Sequence, residues 1–178
     1  RIITHEKIKE FREKTYTRQD NYEGVSEFKR ILNYFVDYNY REFLIDKVAN
    51  QLNYRFKPLD FYVPLEKLRE MYAFGNIIGS HTVSHPVMSR LNKKEQSNEI
   101  IDSFSFLEEM GFLNTKTYCH PYGGFHSFNQ ITVKTLKSLN IEYSFNVECR
   151  DIEDKDLENS IQFLPRYDCN QFPYGKAS

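Results

Sequence analysis

Asn76-Ile77-Ile78-Gly79-Ser80-His81-Thr82-Val83-Ser84-His85-Pro86 is the stretch on which the reading of this chain turns. Asn76-Ile77-Ile78 is an apolar piece of strand length, and the segment before it is patterned as a helix that stops at Gly75. Two histidines, four apart and flanked by hydroxyls, follow where the apolar strand runs out into a loop. In α/β folds that is where ligands and chemistry gather, and imidazole is the commonest side-chain metal ligand. Gly79, Ser80, Ser84 and Pro86 favour a tight loop over a helical face for the pair. His-x-x-x-His by itself is a weak signal, because many histidine pairs only form hydrogen bonds.

The elements after this stretch set the fold class. Pro64 stands at a first helical position, with Leu65, Leu68, Met71 and Tyr72 as the apolar face. Asn92 with Glu95 has the form of a capping box and opens a long helix with Ile100, Ile101, Phe104 and Leu107 facing inward until Gly111. Thr115–Cys119 is β-prone and leads into His120-Pro121-Tyr122-Gly123-Gly124, a second loop at a strand end. Ser127 and Gln130 suggest another capping box, for a helix carrying Ile131, Leu136 and Leu139. Strands over Ile141–Val147 and Ile161–Pro165 follow, with a charged loop through Glu158 between them. This alternation predicts parallel strands with crossover helices, in an open α/β sheet or a β/α barrel. Residues just past the strand ends then share one rim. Chain order alone therefore groups His81, His85, His120, Tyr122 and Asp168.

The N-terminal third reads differently. A short helix is expected over Glu6–Lys14 and a loop from Tyr16 to Gly24. Ser26 is the expected cap of a helix with Phe28, Ile31, Leu32 and Phe35 on one face, and Phe43, Leu44, Val48 and Leu52 form the stripe of the next. Both stripes read as core. The expected organisation is one domain over 1–178, with a helical segment over 1–60 and a β/α part over 61–178 that carries the motifs.

Composition narrows the function classes. A net charge of -1 gives no electrostatic reason to expect nucleic acid or an anionic membrane as partner. No apolar run reaches the ~20 residues of a membrane span, and no signal peptide is visible. Cys119, Cys149 and Cys169 show neither metal-type spacing nor a disulfide framework. That favours a reducing compartment, so the cytoplasm is expected over the cell envelope. The 15 Phe and 13 Tyr suit a core, although tyrosine-rich clefts also bind carbohydrate.

Open catalytic zinc sites take three protein ligands and leave a position for water, so two histidines are one ligand short, and a carboxylate is the expected third. The Pro121-Tyr122-Gly123-Gly124 turn can expose backbone N–H groups to a developing oxyanion, although a plain Pro-Gly turn would read the same way.

Over residues 62–145 the chain resembles the polysaccharide deacetylases, the NodB-homology domains of carbohydrate esterase family 4. Gly79–Pro86 looks like their second motif, and Pro121-Tyr122-Gly123 like their third. The resemblance implies a distorted β/α barrel holding a divalent metal, most often Zn²⁺, and hydrolysis of an N-acetyl or O-acetyl group on a sugar by metal-bound water. It makes His81 and His85 the metal ligands, Tyr122 the backbone oxyanion donor, and Pro121 with Tyr122 part of the sugar-facing wall. It also implies an N-acetylated carbohydrate substrate, on a bacterial surface glycan or its precursor.

The sequence departs from the family pattern in three places. The family's first motif, an Asp-Asp pair supplying a ligand and the general base, occurs nowhere in these residues. Asp20, Asp46 and Asp60 stand in loop-like or helical settings. Because the chain begins at Arg1, the expectation is a barrel incomplete at its N-terminus, with that pair upstream. The arginine usual in the third motif is replaced by Cys119, with His120 beside it. The late Leu-x-His is absent, and Leu164-Pro165-Arg166-Tyr167-Asp168 occupies its approximate place. Asp168 and His120 are thus weighed as catalytic groups against a salt bridge and a packed histidine, while His5 and His126 read as solvated. The alternative function is a catalytically degenerate NodB-like protein that binds carbohydrate or a partner.

Overall fold

The computed structural model describes residues 4–17 and 21–172. The chain divides into two compact units, Arg1–Pro64 and Leu65–Ser178.

The first unit is helical. α1 (His5–Lys14) is capped by Thr4, whose hydroxyl accepts from the Lys7 N–H at 3.3 Å. α2 (Val25–Arg30) runs on into a π-helical turn over Ile31–Phe35, and α3 (Tyr38–Gln51) follows behind an Asp37 cap. The buried centre is Phe11 against Tyr34, rings 4.8 Å apart, with Ala49 also buried. The Arg30 guanidinium is buried there too, donating to the Thr15 hydroxyl at 2.8 Å and carbonyl at 2.9 Å. Two expectations need correcting. Gly24, with φ of 80°, precedes α2, so Ser26 lies inside the helix and does not cap it. The stripes expected to be core are largely open: Phe28, Ile31, Phe43, Val48 and Leu52 are exposed, Leu52 at 72%. Spacing marks one apolar face on a helix, but this short unit buries the other side, Tyr34 with Arg30.

The second unit is mixed α/β. α4 (Leu65–Ala73) follows Pro64 and ends before Gly75, whose φ of 86° suits glycine. Leu65, Leu68 and Tyr72 pack onto the core, whereas Met71 is exposed. α5 (Lys93–Glu109) opens with the anticipated capping box, Asn92 Oδ1 accepting from the Glu95 N–H at 3.0 Å and Glu95 Oε2 from the Asn92 N–H at 2.7 Å. It buries Ile100, Phe104 and Leu107 and turns Ile101 outward. β1 (Thr117–Cys119), β2 (Tyr143–Val147) and β3 (Leu164–Arg166) form one parallel sheet in the order β1-β2-β3. α6 (Gln130–Ser138) crosses from β1 to β2, and α7 (Asp154–Asn159) lies between β2 and β3. α6 is capped by Asn129 with Thr132, two residues later than the Ser127–Gln130 pairing expected. Ser127 instead donates its hydroxyl to the carbonyls of Pro121 and Gly124, at 2.9 and 2.7 Å.

Asn76–Ile78 does not form a ladder. Only Ser80 pairs, as an isolated parallel bridge to Tyr118, through Ser80 N–H to Thr117 O at 2.9 Å and Cys119 N–H to Ser80 O at 2.8 Å. The last strand likewise starts later than expected, at Leu164. The described residues show a parallel α/β sheet of three strands and do not show a closed barrel. The core is Met88, Ile100, Phe104, Leu107, Phe112, Tyr118, Phe128, Val133, Leu136 and Ile141, between the sheet and the helices α5 and α6. Buried Gln96 ties those helices together, accepting from the Thr132 hydroxyl at 2.6 Å and donating to the Leu91 carbonyl at 3.1 Å. Arg150 grips Asp156 through two bonds of 2.6 and 2.8 Å, which closes the charged loop and holds the Asp156 carboxyl well below the usual carboxylate range.

Candidate active site

The two histidine-bearing and tyrosine-bearing loops meet at the C-terminal rim of the sheet, within the second unit. Gly79 lets the first loop approach β1, since a Cβ there would strike the Thr117 hydroxyl and lie 3.1 Å from the Thr117 carbonyl oxygen. Ser80 then anchors it from below. Ser103 donates to the Ile100 carbonyl at 2.8 Å, so the Ser80 hydroxyl, 2.6 Å away, donates to Ser103.

Beyond Ser80 the chain turns sharply. Thr82 and His85 have φ of 68° and 53°, and Tyr122 on the facing loop has 63°. Left-handed conformations at residues with side chains persist only where surrounding bonds enforce them. Here the enforcing group is Glu99 on α5. Its carboxylate accepts from the N–H groups of Val83 and Ser84, both at 2.9 Å, and from the Ser84 hydroxyl at 2.6 Å. The Thr82 hydroxyl adds a bond from the His85 N–H at 3.2 Å. Glu99 lacked any motif in the sequence, and its spacing of fifteen residues from Ser84 is legible only once α5 is placed. Replacing Glu99 with alanine is expected to release the histidine loop and to weaken any divalent-cation binding there about tenfold or more, since outer partners that orient metal ligands carry effects of that size. Zinc titration of the two proteins checks this, with Glu99→Gln, which keeps one acceptor oxygen, falling between them.

His81 Nδ1 lies 2.6 Å from the carbonyl oxygen of Cys119. A carbonyl only accepts, so Nδ1 carries the proton and Nε2 presents a lone pair. The loops packed around the inner side of the otherwise exposed His81 ring desolvate it and lower its pKa despite the opposing bond to Cys119, which favours the neutral ring. The His85 ring stands between those of His81 and Tyr122, with centroid distances of 4.7 and 4.6 Å. The Tyr122 hydroxyl donates to the His85 carbonyl at 3.3 Å. The structure thus brings together His81, His85 and Tyr122, with Pro121 buried at the base of the turn.

A divalent ion would find two imidazole donors here, at least one of them with its second nitrogen already bonded to protein. This is the usual arrangement for a metal-ligating histidine. Among the described residues no group of three His, Cys, Asp or Glu side chains gathers to hold a metal. Asp46 and Asp60 belong to the first unit, and Asp20 lies outside the described residues.

His120 and Asp168 have other surroundings. His120 is fully buried, stacked on Phe128 at 3.8 Å between centroids, with Nε2 donating to the Gln162 carbonyl at 3.1 Å. Burial pushes its pKa down to about 4. In the unfolded chain an ordinary histidine takes a proton near pH 6.5, whereas folded His120 resists it until about pH 4. Its contribution to stability is therefore complete above pH ~6.5 and is lost as the pH falls from there toward 4, by about 3 kcal/mol in all. Denaturant titrations at both ends of that window should show the loss, and His120→Phe should flatten it. The Asp168 carboxylate accepts from the Cys169 thiol at 3.7 Å, and the Asp168 N–H donates to Gln171 Oε1 at 3.1 Å. His126 packs its ring where a Gly124 Cβ would stand.

A histidine pair on a loop at the rim of a parallel α/β sheet, facing a Pro-Tyr-Gly turn, sets two imidazoles and a tyrosine side by side on one open edge. The profile of the family described as polysaccharide deacetylase matches residues 20–144, and the chain belongs to that family. It is 35% identical over 100 residues to the peptidoglycan-N-acetylmuramic acid deacetylase PdaC of Bacillus subtilis, a stretch covering 56% of this chain and 20% of that protein. Its fold is similar to that of the Streptococcus pyogenes deacetylase PplD in complex with acetate, with a TM-score of 0.52 and 23% identity over 59% of this chain and 44% of that one. The chain therefore spans less than half the length of either protein.

Proposed function

We propose that this chain is part of a metal-dependent carbohydrate deacetylase that removes an N-acetyl or O-acetyl group from a sugar. The observation that carries the reading is the neutral His81, its Nδ1 committed to the Cys119 carbonyl and its ring 4.7 Å from that of His85. That is a ligand pair prepared for a cation in a chain of the polysaccharide deacetylase family. His81 and His85 would hold a divalent ion, for which zinc suits an imidazole-rich open set. When bound, such an ion supplies Lewis acidity toward an acetyl carbonyl and lowers the pKa of water.

The chain's own residues do the positioning. Glu99 fixes the loop that carries His85, and the Cys119 carbonyl fixes the ring of His81. In this reading Pro121 and Tyr122 form the sugar-facing wall, with the peptide N–H of Tyr122 as the oxyanion donor. The three-strand sheet would belong to a NodB-type distorted barrel. The Bacillus relative is named for N-acetylmuramic acid in peptidoglycan, which supports a bacterial cell-wall glycan as the substrate class.

The test is acetate release from N-acetylated glycans by zinc-loaded protein. Release that follows bound metal supports the reading, and a zinc-loaded protein releasing none from a broad panel overturns it. A second reading, a non-catalytic carbohydrate-binding member, is favoured by one observation: among the described residues the histidine pair has no third ligand. It requires sugar affinity that survives His81→Ala.

A further inference from the structure

β3 brings a cation to the same rim. In the ladder Cys119 is level with Phe145, Phe145 with Leu164, and Val147 with Arg166. Side chains alternate along strands, so Cys119, Val147, Leu164 and Arg166 share one face, opposite Tyr118, Ser144 and Asn146. His81 follows Ser80, which bridges to Tyr118, and its ring bonds the Cys119 carbonyl, placing it beside that face. The ladder sets Arg166 on the same face as Cys119, and its charge acts on both the Cys119 thiol and His81.

What this arginine lacks is an acid. Its Nε is buried with no hydrogen-bond partner, and no carboxylate among the described residues forms an ion pair with it. The neighbouring Asp168 accepts from Cys169 instead. A buried, unmatched guanidinium donor is costly unless an anion completes it, and its planar fork matches a carboxylate. Val147, level with Arg166 in the ladder and only partly buried, offers apolar surface beside it, which suits the methyl end of a small carboxylate.

We propose that Arg166 is a carboxylate-binding residue on the rim of the His81/His85 site, taking either the acetate released by deacetylation or a carboxylate carried by the sugar. The acetate source rests on the deacetylase reading; the carboxylate preference itself does not.

Direct binding tests it, using sodium acetate and its neutral analogue acetamide on the whole chain, followed by calorimetry. The wild type should bind acetate in preference to acetamide, and folded Arg166→Gln should lose about tenfold or more of the acetate affinity. The Arg166 Nε–H resonance, assigned by its absence in Arg166→Lys, should move with acetate and stay with acetamide, a readout that survives a misfolded glutamine variant. N-acetylmuramic acid and N-acetylglucosamine distinguish the sources. A preference for the acidic sugar that disappears in Arg166→Gln identifies the sugar carboxylate, and equal binding of the two sugars identifies acetate. Equal acetate affinity in wild type and folded Arg166→Gln, no preference over acetamide, or a stationary Nε–H resonance overturns the proposal. Absence of acetate release from every glycan, with the carboxylate preference intact, defeats the deacetylase reading alone.

Discussion

Replacing His81 with alanine is expected to lower zinc affinity and any acetate-releasing activity together, each by about a thousandfold or more. The imidazole leaves one histidine of the pair behind, and a cation site reduced from two protein donors to one loses most of its binding free energy. The fold should tolerate the change. His81 is exposed, and the loop around it is held by Glu99, Ser80 and Thr82 without using its ring. Calorimetric zinc titration, acetate release and a thermal melt on one preparation separate these effects. A variant that melts like the wild type and still binds zinc equally well would remove His81 from the site. His120→Phe is the matched contrast, because that ring is sealed among Phe128, Phe163 and Gln162, and its loss should leave zinc affinity unchanged.

Substituting Gly123 with alanine should be the most damaging single-carbon change in the second unit. Its φ is 66°, and a Cβ would strike the Val147 side chain and stand 2.8 Å from the Val147 nitrogen. That nitrogen cannot retreat, because its N–H is bonded to the Gly123 carbonyl at 3.0 Å. A left-handed alanine costs about 1 to 2 kcal/mol, and overpacking against backbone adds about 1 to 3 more. The melting temperature should fall by about 10 °C, with acetate release falling too, as Tyr122 is the adjoining residue. Gly111→Ala gives the scale. Its φ is 78° but nothing lies within 4 Å of the added carbon, so only the conformational cost applies.

The parts of the fold legible in the sequence are those governed by local chemistry. The Asn92–Glu95 capping box, the glycine stops at 75 and 111, and the strand entering Cys119 all follow from residues within a few positions of one another. The failures share a cause. The Ser127–Gln130 pattern satisfied the spacing of a cap, yet Ser127 spends its hydroxyl on the carbonyls of Pro121 and Gly124, which only the folded loop brings near. Phe43 and Leu52 keep helical spacing and still face solvent, because burial depends on what lies opposite, not on period. Asn76–Ile78 is apolar and strand-like, but only Ser80 finds a partner strand.

By itself the sequence determined the helix–strand–helix–strand order from Lys93 to Val147 and the grouping of His81 and His85 with Tyr122, because loops past parallel strands share a rim. It read Asn76–Ile78 as a strand, however, and the helix Asp154–Asn159 as a loop. Tertiary structure alone decided which nitrogen of His81 is left for a ligand, that His120 points into the core, that Glu99 clamps the histidine loop, and that Arg166, on the face beside His81, has no acid paired with it among the described residues. Each of these depends on atoms brought within hydrogen-bond reach across fifteen or more residues, and linear spacing carries no information about such approaches.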